Sequence, residues 1–290
     1  MKTKMPTLSE ATNLVYKRRY NGEDSAENFL IAMKYNIKAI GNLPVNKITK
    51  QHIKKLMDYH RFTRKNSKQV TNTKVGYLKT VLDEMIEDGF IQDVSFPRRL
   101  KEKKQKVHYL TKDMEKKLLW YLSDNKQKKA RDIVACLIDI GCRVNEFLGL
   151  EKRFVDFDNN QINFNERKNE QAVAVPMTDR VQEVLKPYYE CCNDTDKLFD
   201  VDYPWLNYVW QNAREELGYA DKKYYTLHLC RHTCGSRLAQ RGVPLLLIKD
   251  WLGHKDIKTT MIYAHLQPLA LHSVVAVSYT HLTLPTNSSV

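Results

Sequence analysis

Residues 97–106, PRRLKEKKQK, cannot belong to a hydrophobic core. Leu100 is their one strongly apolar side chain, and lysine and arginine fill most of the rest. Burying unpaired charges costs far more than packing one leucine returns. The segment therefore reads as a linker with its charges in water. Whatever folds on either side must bury an apolar stripe of its own. The chain has 290 residues and is 42% hydrophobic, enough for two such bodies and too much for wholesale disorder.

Before the linker, apolar residues recur at helical spacing. Residues 26–36 and the next position place Phe29, Leu30, Met33 and Ile37 together. Residues 49–61 carry Ile53, Leu56 and Met57, with Thr49 as the expected N-cap. Residues 72–88 align Val75, Leu78, Val81, Leu82 and Ile86, and Gly89 is placed to close that helix. Lysine, arginine and glutamine occupy the opposite faces. This predicts a small basic helical bundle over 23–97, preceded by a short N-terminal arm, 1–22, with the linker at 98–107.

The second body is expected over 108–271, with Thr111 as its first N-cap. Helical periodicity runs through 114–122 and 130–140. Residues 155–165 and 172–175 then alternate with period two around the polar stretch 166–171, which predicts a β-hairpin with a charged tip and a short further strand near 154–157. Helical spacing returns at 178–189, 203–217, 226–240, 245–251 and 257–264. The expected fold is mainly α with a small antiparallel sheet. After Leu271 the sequence reads HSVVAVSYTHLTLPTNSSV, rich in Thr and Ser with no helical stripe. Residues 272–290 are expected to be a tail foreign to the body before it.

Charge is distributed unevenly. Residues 1–107 hold 23 basic and 11 acidic side chains, net +12; residues 108–290 hold 24 and 23, net +1. A local basic excess is the footprint of a polyanion, whereas charge kept for solubility would be spread evenly. The expected duplex contacts are Arg61, Arg64, Lys65, Lys68, Lys74, Arg98, Arg99 and Lys101. No apolar run approaches the roughly 20 residues of a membrane span, and the N-terminus has no signal-like h-region. Six cysteines without a CxxC pair read as reduced thiols.

Five segments after the linker carry chemistry. In IDIGCRVNEFLGL, Gly141 stops one helix and Arg143 and Glu146 open the next, three residues apart. Lys168 stands at the hairpin tip within RKN. In TLHLCRHTCGSRLA, His228 and Arg231 lie at a helix start, where anions bind readily. A zinc site from His228, Cys230, His232 and Cys234 is a poor alternative, because the two pairs leave different faces of one helix. His254 follows the helix-ending Gly253, and Tyr263 lies in TTMIYAH.

Each segment is weak alone, but the set suits attack of a phenol on a phosphodiester. Two guanidiniums can clamp the non-bridging oxygens of a phosphorane. A phenol, with an ordinary pKa near 10, needs nearby cations or a base to act as nucleophile. A lysine can protonate the leaving 5′-oxygen. No Asp/Glu cluster suited to Mg²⁺ accompanies them, so neither metal nor cofactor is expected.

The stretches GCRVNEFLGL, RKN, LHLCRHTCGSRLAQRGV and WLGHKDIKTTMIYAHL, behind a basic helical domain, resemble the tyrosine recombinases of the phage-integrase type over about 26–268. The resemblance implies a SAM-like helical core-binding domain, a mixed α/β catalytic domain, and strand exchange through a 3′-phosphotyrosine. It assigns Arg143 and Arg231 to the phosphate clamp and Lys168 to the general acid. His228 and His254 bind phosphate and handle protons, Glu146 supports Arg143, and Tyr263 is the nucleophile. It also implies double-stranded DNA, a tetrameric synapse and DNA-bending accessory proteins as partners, integration or excision of a phage or mobile element as the role, and the cytoplasm of a bacterial host, at the nucleoid, as the location. A type IB topoisomerase, a chromosome-dimer-resolving recombinase and a non-enzymatic DNA-binding regulator are the alternatives.

Overall fold

The computed structural model describes residues 5–102, 106–164 and 173–268. The chain divides into two units, Met1–Gln105 and Lys106–Val290, each with its own core.

Among the described residues the first unit holds four α-helices: α1 (Leu8–Val15), α2 (Ala26–Ile40), α3 (Lys50–Asp58) and α4 (Lys68–Glu87). The stretch read as an arm contains α1, and this corrects that reading. Thr7 and Glu10 cap α1 reciprocally, with Thr7 N–H donating to Glu10 Oε2 at 2.7 Å. Leu8, Ala11 and Val15 have no exposed surface. The stripe is only three residues long, too short for periodicity to reveal. Arg18 pairs with Asp88 at 2.8 Å and, with Arg19, with Glu84, so these two cations serve the fold.

The expected 49–61 helix ends at Asp58. Tyr59–Thr63 form a wider π-helical turn that carries His60 inward. α4 begins four residues before the expected start, because Ser67 Oγ accepts from Val70 N–H at 3.2 Å. Leu30, expected in the core stripe of α2, is 38% exposed. Leu100 is half-buried against the first core. Its N–H donates to Asn72 Oδ1 and its carbonyl accepts from Asn72 Nδ2, both at 3.0 Å. The beginning of the expected linker is therefore tied to α4 rather than solvated along its length.

The second unit holds α5 (Lys112–Asp124), α6 (Lys128–Ile140), α7 (Val144–Leu148), β1 (Val155–Asp156), β2 (Gln161–Phe164), β3 (Val173–Pro176), α8 (Asp179–Cys191), α9 (Tyr203–Glu216), α10 (His228–Gln240), α11 (Leu245–Leu252) and α12 (Ile257–Thr260), then a 3-10 turn, Met261–Leu266. The sheet is antiparallel in the order β1-β2-β3, with Val155 opposite Ile162 and Ile162 opposite Val175. The alternating stretch 155–165 is divided, and the short further strand expected near 154–157 is β1. Asp156 Oδ1 accepts from Asn159 N–H at 2.9 Å and Asn160 takes φ +55°, so an Asp/Asn turn separates β1 from β2. The last expected helix is likewise divided into α12 and the 3-10 turn.

α6 is buried along most of its length, and α10 packs against it. Arg237 on α10 and Arg180 on α8 both pair with the buried Glu115 of α5, and Arg180 also pairs with Asp139. These bonds fix the helix that carries the site. Among the described residues no helix is long and apolar enough to cross a membrane. The residues 272–290 lie outside the described part.

Candidate active site

The site is built around the end of α6. Gly141 takes φ +73°, the left-handed conformation that closes the helix. A Cβ there would stand 2.7 Å from Leu252 Cδ2 and 2.8 Å from Cys234 Sγ. Glycine is required both by the turn and by the close approach of α10 and α11. The Gly141 carbonyl accepts from Arg231 Nη1 at 2.8 Å. The guanidinium of Arg231, 3% exposed, is thus set by the backbone two residues before Arg143.

Arg143 is the N-cap of α7. Glu146 Oε2 accepts from its backbone N–H at 3.0 Å, and Glu146 Oε1 accepts from its Nη1 at 2.8 Å. The same carboxylate therefore caps the helix and steers the guanidinium, which is 43% exposed.

His228 opens α10. Burial is the main cause of its lowered pKa, and the charges of Arg231 and Arg143 lie near enough to add to it. His232, one turn further along, meets His228 edge-on at 4.7 Å between ring centroids. Its Nδ1 lies 3.0 Å from the Tyr263 hydroxyl. Tyr263 is 1% exposed; burial raises its pKa and Arg231 opposes that rise.

Gly253 closes α11 with φ +63°, and His254 follows, its N–H donating to Lys249 O at 2.9 Å. His254 Nδ1 lies 2.8 Å from Oγ1 of the buried Thr260. That bond ties the His254 turn to the segment bearing Tyr263. Trp251 Nε1 donates to Ile140 O at 2.8 Å and holds α11 against the end of α6.

The fold thus brings Arg143, Glu146, His228, Arg231 and Tyr263 to one place and links His254 to it. Lys168 lies outside the described residues. His232 was weighed in the sequence only as a metal ligand. Its place directly after Arg231 is the signal in the sequence, masked by the alternating His/Cys pattern. Among the described residues no group of three or more His, Cys, Asp or Glu could hold a metal ion.

The predicted duplex contacts are placed unequally. Arg61 donates to Asn66 O, and Arg64 stacks over the Tyr35 ring at 4.1 Å. Lys74 is half-buried on α4, close enough to His60 to lower that imidazole's pKa. Lys65, Lys68, Arg98, Arg99 and Lys101 are exposed, Lys65 with φ +53°. Phe62, absent from the expected contacts, is 74% exposed among them.

The Phage integrase family model matches residues 108–269. The tyrosine recombinase XerA of Saccharolobus solfataricus is 34% identical over 141 residues, covering 49% of this chain and 47% of that protein. A probable integrase/recombinase protein of Methanocaldococcus jannaschii is 27% identical over 281 residues, covering 86% of this chain and 83% of the relative. Against the first of these the chain matches about half the relative's length. The fold is shared with the Tn1549 transposon integrase, solved in complex with circular intermediate DNA, at TM-score 0.75 and 18% identity over 94% of this chain and 99% of the other.

Proposed function

Because the chain belongs to the phage integrase family of tyrosine recombinases, we propose that it is a site-specific DNA recombinase that cuts and rejoins duplex DNA through a 3′-phosphotyrosine. The observation that carries this reading is the convergence of Arg231, Arg143 and His228 on one patch, with the Tyr263 phenol one helical turn away across His232. In this reading the scissile phosphate enters beside the two guanidiniums. Their forked donors neutralise the charge that builds on the non-bridging oxygens of the phosphorane. Arg231 needs no reorganisation to do so, since Gly141 O already holds it.

Tyr263 Oη attacks phosphorus, the bond to the 5′-oxygen breaks, and a proton from Lys168 completes the leaving hydroxyl. The phenol's own proton is relayed through the hydrogen-bonded His232 to His228, whose ring lies edge-on to it at 4.7 Å between centroids. His254 donates to a non-bridging oxygen. Attack by the 5′-hydroxyl of a second duplex reverses the chemistry and exchanges strands. The partner is double-stranded DNA, engaged by a synaptic tetramer with DNA-bending proteins assisting, in the cytoplasm of the host. Integration or excision of a mobile element is the role; resolution of chromosome dimers is the second reading, favoured by the XerA relative.

A nicked suicide duplex tests the chemistry. The short 5′-hydroxyl fragment diffuses away after cleavage, trapping protein on the 3′-phosphate. We expect a covalent adduct on Tyr263, mapped by peptide mass, in EDTA as well as without it. Tyr263→Phe should bind duplex and form none, while Tyr279→Phe should react as the parent does. An adduct on any other residue overturns the assignment.

A further inference from the structure

Gly235 stands in the middle of α10, where glycine costs about 1 kcal/mol relative to alanine and no positive φ calls for it. What it allows is specific. A Cβ at Gly235 would lie 2.6 Å from Tyr263 Cζ, 2.8 Å from Cε2 and 3.0 Å from Oη. The three nearest atoms all belong to one phenol ring. His232, three residues earlier, is on the same face of the helix, and its Nδ1 meets the Tyr263 hydroxyl at 3.0 Å. Two independent contacts on one helix face therefore address a single side chain, at its ring and at its reactive oxygen.

We propose that His232 and Gly235 form a seat that fixes where the Tyr263 oxygen stands, the imidazole by holding the hydroxyl and the bare Cα by admitting the ring. This rests on Tyr263 being the nucleophile. His232 acts here as a positioning residue. Burial, reinforced by His228, Arg231 and His108, lowers its pKa to about 4. Such a ring is neutral and can accept the O–H bond, but it is far too weak a base to keep a phenolic proton. Placing the oxygen is what it can do. An attacking atom displaced by about 1 Å can cost about a hundredfold in rate, so a helix that carries Arg231 and also seats Tyr263 couples clamp to nucleophile.

The test uses the full chain with the nicked suicide duplex at saturation, adduct formation followed in a single turnover, and affinity measured separately by anisotropy. His232→Ala should slow adduct formation about tenfold or more with Kd changed less than about twofold. His232→Asn, whose Oδ1 can stand where Nδ1 stood, should recover most of the rate. Gly235→Ala should slow the reaction similarly, and the double variant should be no slower than the worse single one, since both act through one oxygen. Full rate in His232→Ala, or equal loss in the Ala and Asn variants, overturns the seat. If the His232 variants unfold, Gly235→Ala at wild-type rate overturns it. Absence of any adduct from the parent protein instead removes the nucleophile assignment beneath it.

Discussion

Both ring nitrogens of His60 are engaged: Nε2 lies 2.9 Å from Asn36 Oδ1 and Nδ1 lies 3.2 Å from Asn66 Nδ2. The ring is 1% exposed, and burial, with Lys74 and Arg64 nearby, lowers its pKa from 6.5 to about 4. A histidine depressed in the folded state favours the neutral form. Its contribution is complete above the unfolded value near 6.5 and is lost as pH falls from there toward 4. The shift corresponds to about 3 kcal/mol. Urea unfolding followed between pH 7.5 and 4.5 should show this loss in the parent protein, and His60→Gln should flatten the curve across that window. Parallel curves for the two would remove His60 as the cause. In the sequence His60 carries no signal, because a lone histidine on a basic helix reads as surface. Only the π-helical turn at 59–63 turns it inward.

α1 shows the same limit at the scale of an element. Eight residues offer barely two turns, and such a segment is not stable by itself. Its stability comes from the surface it buries, which only the assembled unit supplies. Leu8→Ala should therefore cost about 3 kcal/mol, within the range for a buried leucine that leaves a cavity. Surface Ser9→Ala should cost far less. Chemical unfolding of the two variants separates a core helix from an arm, because an arm would tolerate both. The helices with long stripes, α4, α5, α6 and α9, were legible within a few residues from their apolar spacing, and for α5 the Thr111 cap agrees with it. The short strand β1 was legible as well, but the division of the final helix was not, because a 3-10 winding preserves apolar spacing across the break.

For the molecule as a whole, net charge predicts where non-specific duplex affinity lies. Residues 1–107 carry +12 of the total +13. Binding should fall steeply with salt through counterion release, and a fragment of residues 108–290 should bind much more weakly than the full chain at equal salt. Equal affinities would break the link between charge excess and binding. Arg18 and Arg19 should add little to that slope, because they pair with Glu84 and Asp88, which the net charge already sets against them.

The two-body plan and the mainly helical fold were legible in the sequence alone, since they depend on charge and apolar spacing, and the catalytic candidates were named there by residue type and by the family resemblance. The tertiary structure decided which groups touch. Arg231 meets a carbonyl 90 residues away, and Tyr263 meets His232 31 residues away. Hydrogen bonds across such separations leave no period in the chain. They arise only when α6, α10 and α11 have packed around Gly141, where a side chain would have kept them apart.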